Sequence, residues 1–224
     1  MKRNHIFNKA LNLTHKEVNR KVAIHEAGHA TAIYLGNKQK CLPPVFFQIF
    51  MGSGGGDFQS SRFLSKTNGD CIANIDGGRL IHTLPSSIEE ATNGFPPAQT
   101  IAYQRAFEAD MINILVGPLA EAKYIALQKG EPINPSFISL NDLHYFGGTS
   151  DLESINEYLE CFPANSKFRQ QKIIALFSAA FSFINEKSNW RAITALADYI
   201  VDKNVIECNE IIDVLEAVNS YKTI

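Results

Sequence analysis

The stretch from Thr14 to Gly36, THKEVNRKVAIHEAGHATAIYLG, decides how this chain is read. Thr14 and Glu17 stand in capping-box spacing, and Gly36 suits the left-handed position just past a helix end. Between them Val18, Val22, His25, His29, Ala32 and Ile33 recur at three- and four-residue steps, which is one face of a helix. The spacing predicts a helix over 14–35.

His25 and His29 sit four residues apart on that helix, so their imidazoles project from one face and can close on a single tetrahedral zinc. Glu26 points toward the same side, where it can take a proton from a zinc-activated water and hand it to a leaving amine. The plain alternative is a pair of core histidines one turn apart beside a buried glutamate. A carboxylate on a face built for burial is costly without a partner, and the small Ala27, Gly28 and Ala30 suit close packing around a site, which favours the metal.

Working outward, residues 41–97 change texture: Pro43 and Pro44, a β-prone run from Val45 to Phe50, then Gly52, Gly54, Gly55 and Gly56. Phe58–Leu64, Cys71–Ile75 and Arg79–His82 are further strand candidates, and Ser86–Pro97 reads as a mobile loop. From Thr100 to about Lys129 the pattern is helical again, with Gly117-Pro118 expected to kink or divide it and Gly130 to stop it. A polar loop with Pro132, Pro135, Gly147 and Gly148 follows. Ser150 and Glu153 then stand in capping-box spacing ahead of a helix ended by Pro163, and residues 166–186 and 189–219 read as two or three more helices. The expected fold is mainly α (α+β), one domain over 1–224, with a β-sheet or hairpin insert over about 41–97 and a helical remainder over about 100–219.

Composition bounds the function. The chain is 45% hydrophobic and 20% charged, as ordinary globular domains are, rather than charge-rich and apolar-poor as disordered chains are. A net charge of −2 leaves no excess to neutralise phosphates, so nucleic acid is not an expected partner. The basic residues near the start, from Lys2 to Lys40, are spread along helix-like sequence and read as a solvated face. Cys41, Cys71, Cys161 and Cys208 have no Cys-x-x-Cys spacing, and the longest apolar stretch, Ile173–Ile184, is too short to span a bilayer. A soluble cytoplasmic protein is expected.

A catalytic zinc usually takes three protein ligands and keeps one open position. The metzincin extension needs a glycine and a histidine where this chain has Ala32 and Leu35, and no glutamate lies between Glu26 and Glu89 to serve as a thermolysin-type ligand. The third ligand therefore lies farther along. His82 and His144 stand in loop-like sequence, Glu108 and Asp110 on what reads as a solvated helix face, and Glu121 among apolar neighbours where it could support a ligand. Asp151 falls in the first turn of a helix, a place that also suits an acidic residue because of the helix dipole. The local sequence leaves these six open.

Three segments, in order, resemble the peptidase module of the FtsH-type AAA proteases. His25-Glu26-Ala27-Gly28-His29-Ala30 matches that family's zinc helix, Leu115-Val116-Gly117-Pro118-Leu119-Ala120-Glu121 is similar to its Leu-x-Gly-Arg-x-Ala-Glu segment, and Gly148-Thr149-Ser150-Asp151-Leu152 is similar to its Gly-Ala-x-Asn-Asp-Leu segment. A weaker similarity runs from Asn189 to Ala197 and on to Glu210-Ile211. The resemblance implies a zinc endopeptidase with Asp151 as third ligand, and an edge strand near the zinc that aligns the substrate, which Val45–Phe50 or Phe58–Leu64 could supply. Pro118 and Ser150 depart from the family's arginine and asparagine, and residues 40–97 look enlarged.

No phosphate-loop motif and no membrane helix is seen; Gly52-Ser53-Gly54-Gly55-Gly56 lacks the lysine and reads as a turn. The expected activity is a zinc peptidase without its own ATPase, cutting only peptides or unfolded protein segments unless a separate ATPase feeds it, with a homo-oligomer as a further expectation. Two other classes stand beside it: an inactive zinc-binding adaptor on the same fold, and a metal-free helical interaction domain.

Overall fold

The structure, a computed structural model, describes residues 15–53, 64–66, 71–77, 84–134, 138–201, 203 and 205–220. Thr14, residues 54–63, the Arg79–His82 strand candidate with His82, and Pro135 lie outside the described residues. The fold is mainly helical with a small antiparallel sheet, as the periodicities predict.

Helix α1 (His15–Thr31) is the centre of the molecule. Every residue from Val22 to Ile33 is buried, so the helix is enclosed on all sides rather than along one apolar face. It lies against α4, α7 and β3, and polar residues on it are therefore forced indoors. Gly36 does not end it. The chain passes through one π-helical turn, Ala32–Gly36, and a last helical piece, α2 (Asn37–Gln39), before Cys41 adopts a positive φ of 53°. Gly36 is buried at φ −64°, in right-handed helical geometry, so packing carries the helix past a residue that alone would favour a stop.

The sheet has the order β2-β3-β1-β4, with every neighbouring pair antiparallel. In β1 (Phe47–Ser53) Phe47, Ile49 and Met51 are buried at period two, and Ile49 lies opposite Ile75 of β3 (Cys71–Gly77). The expected strand at 71–75 is thus present, and of 58–64 the described part is the start of β2 (Leu64–Lys66). β4 (Val205–Ile206) was not expected: two residues of a stretch read as helix pair with Ile49 and Phe50. Two-residue strands carry no periodicity to read. Because β4 completes the sheet, the 41–97 region does not form its β-structure alone.

Residues 86–97 are not all loop. α3 (Ile88–Ala91) is capped by Ser87, whose side chain accepts from the Glu90 N–H, a Ser-x-x-Glu signal hidden by the short length of the helix. α4 (Pro97–Gln128) then runs 32 residues as one helix, so of the kink or division expected at Gly117-Pro118 the division does not occur. Pro118 lacks the N–H that a helix interior uses, but residues 109–123 are buried against surrounding elements that hold the helix together. Gly130, at φ 69°, follows its end as expected.

Leu140–Phe146 forms a 3-10 helix where a polar loop was expected, with Ser139 and Asp142 in a capping box. α5 (Thr149–Glu160) starts from Gly148 with no side-chain cap, so the Ser150–Glu153 cap is not formed. α6 (Ser166–Asn185), α7 (Lys187–Ile200) and α8 (Cys208–Ser220) supply the helical remainder.

Candidate metal centre

Two close approaches position the site. α1 meets α4 at Gly28, where an added Cβ would lie 2.9 Å from Ala120 Cβ and 3.1 Å from the Val116 carbonyl oxygen. One turn on, a Cβ at Gly117 would lie 2.2 Å from His29 Nε2, so the imidazole occupies the space a side chain there would fill. The α5 start is brought in similarly. Gly147, at φ 72°, turns the chain out of the 3-10 helix, and a Cβ on Gly148 would lie 2.7 Å from Pro118 Cβ and 2.8 Å from the Leu143 oxygen. Asp151, in the first turn of α5, is thereby set facing α1.

His25, His29 and Asp151 converge, all buried, with one ligand atom from each within 4.8 Å of the others. Asp151 Oδ2 is 3.3 Å from His25 Nε2, and its Oδ1 is 3.3 Å from His29 Nε2. The two Nε2 atoms are 3.0 Å apart. On the far side of each ring, His29 Nδ1 is 2.8 Å from the Asn113 carbonyl oxygen, and His25 Nδ1 is 3.2 Å from the Phe146 carbonyl oxygen and 3.3 Å from Glu121 Oε2. Carbonyl oxygens only accept, so each Nδ1 carries a proton and donates it. In the neutral rings both Nε2 lone pairs then face the Asp151 carboxylate. Three electron-rich atoms at this separation repel unless a cation, a proton or a metal ion, lies among them.

The electrostatics follow the same geometry. Burial pulls the His25 imidazole down, but hydrogen bonds to Asp151 and Glu121 outweigh it and hold the group well above the usual histidine value. Burial pushes Asp151 up, and the two imidazoles overcome that and hold it below the usual aspartate value. Glu26 is raised, chiefly by burial and only partly offset by His25 and His29. Its Oε2 is buried with no hydrogen-bond partner among the described residues.

These residues could hold a metal ion: two imidazole nitrogens and one carboxylate oxygen converge from three side chains, as metal ligands do. Glu121 does not join the cluster but contacts His25 from behind, the place of a supporting carboxylate. The other sequence candidates lie elsewhere. Glu108 pairs with Lys172 at 2.6 Å, His144 is exposed beside Tyr145 and hydrogen-bonded to the Asn141 carbonyl, and His82 lies outside the described residues. Asp110 is buried, not solvated as its position suggested, because α4 is enclosed there on more than one side.

Reading residue types missed the carbonyls of Asn113 and Phe146, since a backbone oxygen has no sequence signature. It also missed Lys21, whose Nζ lies 3.1 Å from Glu121 Oε1; a lysine one turn before His25 is the only signal it leaves. Compared with family models and with curated proteins, the chain matches none.

Proposed function

We propose that the chain is a zinc-dependent peptidase in which His25, His29 and Asp151 hold the metal and Glu26 is the general base. The observation that carries this reading is the convergence of two imidazole lone pairs and a carboxylate beside a buried glutamate with an unbonded oxygen. Zinc held there would lower the pKa of a water molecule and polarise a peptide carbonyl. Glu26, raised by burial toward the range of a working base, takes a proton from the attacking water and delivers it to the leaving amine.

The sheet offers an edge along which a peptide could add. β1 is an interior strand, between β3 and β4, so the expectation that Val45–Phe50 could be the substrate-aligning edge is corrected. Among the described residues β2 is an edge, and it lies against α5, the helix that carries Asp151. A substrate added along β2 in extended form enters beside the site. Peptides and unfolded segments fit this mode because strand addition needs free backbone groups, and a separate ATPase partner would be what delivers folded proteins. No helix among the described residues is long and apolar enough to cross a membrane.

Pro118 and Ser150, where the FtsH-type resemblance has arginine and asparagine, favour a second reading: a zinc-binding adaptor without turnover. One assay separates them. Purified wild type and Glu26→Gln are analysed for metal and incubated with casein. The peptidase reading expects zinc in both and cleavage by the wild type alone, with a loss of about 10²–10⁴-fold in the variant, the range for a missing general base. Equal background cleavage with zinc bound supports the adaptor. Absence of any divalent ion from both overturns both readings.

A further inference from the structure

Behind the metal centre, three side chains form a line from solvent to the site. Lys21 Nζ is 3.1 Å from Glu121 Oε1, and Glu121 Oε2 is 3.3 Å from His25 Nδ1. Lys21 is the only one of the three with real exposure, 22% for its side chain, against 3% for Glu121 and 1% for His25. Lys21 and His25 are four apart on α1, so they share a face, and Glu121 reaches both from α4.

From this arrangement we infer that Lys21 is a positioning residue for the metal centre, acting through Glu121 to fix the tautomer and orientation of the His25 ring. The inference rests on the zinc reading above. A carboxylate as buried as Glu121 is costly to hold without a compensating charge, and Lys21 supplies that charge on one oxygen while the other faces His25. With Oε1 anchored, the carboxylate cannot swing away from the imidazole. Without Lys21, Glu121 has no cation to keep it at this depth and is free to turn toward water along the path the lysine occupied. His25 Nδ1 is then left with the Phe146 carbonyl, at 3.2 Å, as its remaining partner. A ring held by one weaker contact presents Nε2 to the metal less often in the productive direction, and supporting partners of this kind are typically worth 10- to 100-fold in metal affinity.

Arg20, the neighbouring cation on α1, separates local positioning from general charge. It pairs with Asp198 on α7 and lies over the Tyr124 ring of α4, so its loss changes the net charge equally while leaving the Lys21–Glu121 and Glu121–His25 contacts in place.

The test measures zinc affinity by chelator competition, together with the visible absorption of the cobalt-substituted protein, for wild type, Lys21→Met, Lys21→Arg and Arg20→Met. Circular dichroism confirms that each is folded. Lys21→Met is expected to lose at least tenfold in zinc affinity and to shift the cobalt bands, Lys21→Arg to recover most of the loss, and Arg20→Met to match wild type. Equal affinity and equal spectra for Lys21→Met and wild type overturn the positioning role and leave the zinc reading standing. A parallel loss in Arg20→Met overturns it in favour of bulk charge. No zinc binding by the wild type overturns both.

Discussion

Gly117 and His29 compete for one volume: a Cβ on the glycine would lie 2.2 Å from the Nε2 atom that faces Asp151. α4 therefore serves the site through the absence of a side chain. The nearest ring atoms after Nε2 would be only 2.4 and 2.6 Å away, so no small rotation of the imidazole clears the clash.

Gly117→Ala is accordingly expected to displace the His29 ring and abolish stoichiometric zinc binding, with a stability loss of about 1–3 kcal/mol from overpacking. Metal analysis and urea unfolding of the purified variant check both parts. Full zinc occupancy would show that the ring can leave this position and still bind.

Asp151→Asn keeps the shape of the side chain but removes the charge that faces both Nε2 atoms. Zinc affinity is expected to fall on the order of 100-fold or more, beyond what loss of a supporting partner costs. Isothermal titration with zinc measures it, and affinity within threefold of wild type would exclude Asp151 as a ligand.

Zinc should also stabilise the fold, because α1 and α5 carry the three ligands and the unfolded chain separates them. At a free concentration 100 times the Kd, linkage gives about 2.7 kcal/mol. For a domain of this size each kcal/mol moves Tm by about 2–4 °C, so zinc is expected to raise Tm by about 5–11 °C and a chelator to reverse the rise. A Tm insensitive to both would count against binding by the folded state.

Away from the site, Glu210 accepts from Lys203 Nζ at 2.8 Å, from the Glu207 N–H at 3.1 Å and from the Tyr199 hydroxyl at 2.8 Å. Led by the Lys203 contact, these hold its carboxyl down at about 2, against 4.5 for the unperturbed group. A depressed carboxylate stabilises the fold above its unfolded value and loses that contribution as pH falls toward the folded one. Glu210→Gln should therefore lower Tm at pH 6 and converge with wild type between about pH 4.5 and 2. A constant difference in Tm across that window would rule out this linkage.

The sequence by itself determined which side chains share one face of the first helix. The four-residue step between His25 and His29 is a property of any helix, so their common face and the adjacent Glu26 followed from local geometry. The β-prone run Val45–Phe50 and the apolar piece Cys71–Ile75 overlap β1 and β3, and the long helices were legible because a period of 3.6 is written into neighbouring residues.

Only the tertiary structure decided what that face acts with. Local sequence left Asp151 one candidate among six and only the family resemblance pointed to it; α5 brings it to the histidines across more than a hundred residues of chain. The carbonyls of Asn113 and Phe146 and the anchor at Lys21 act through position, to which residue type contributes little. Packing likewise overrode local signals, carrying the first helix past Gly36 and α4 past Pro118. A helix enclosed on all sides gains more from burial than one unfavourable residue costs, and that balance is set by neighbours that no local window contains.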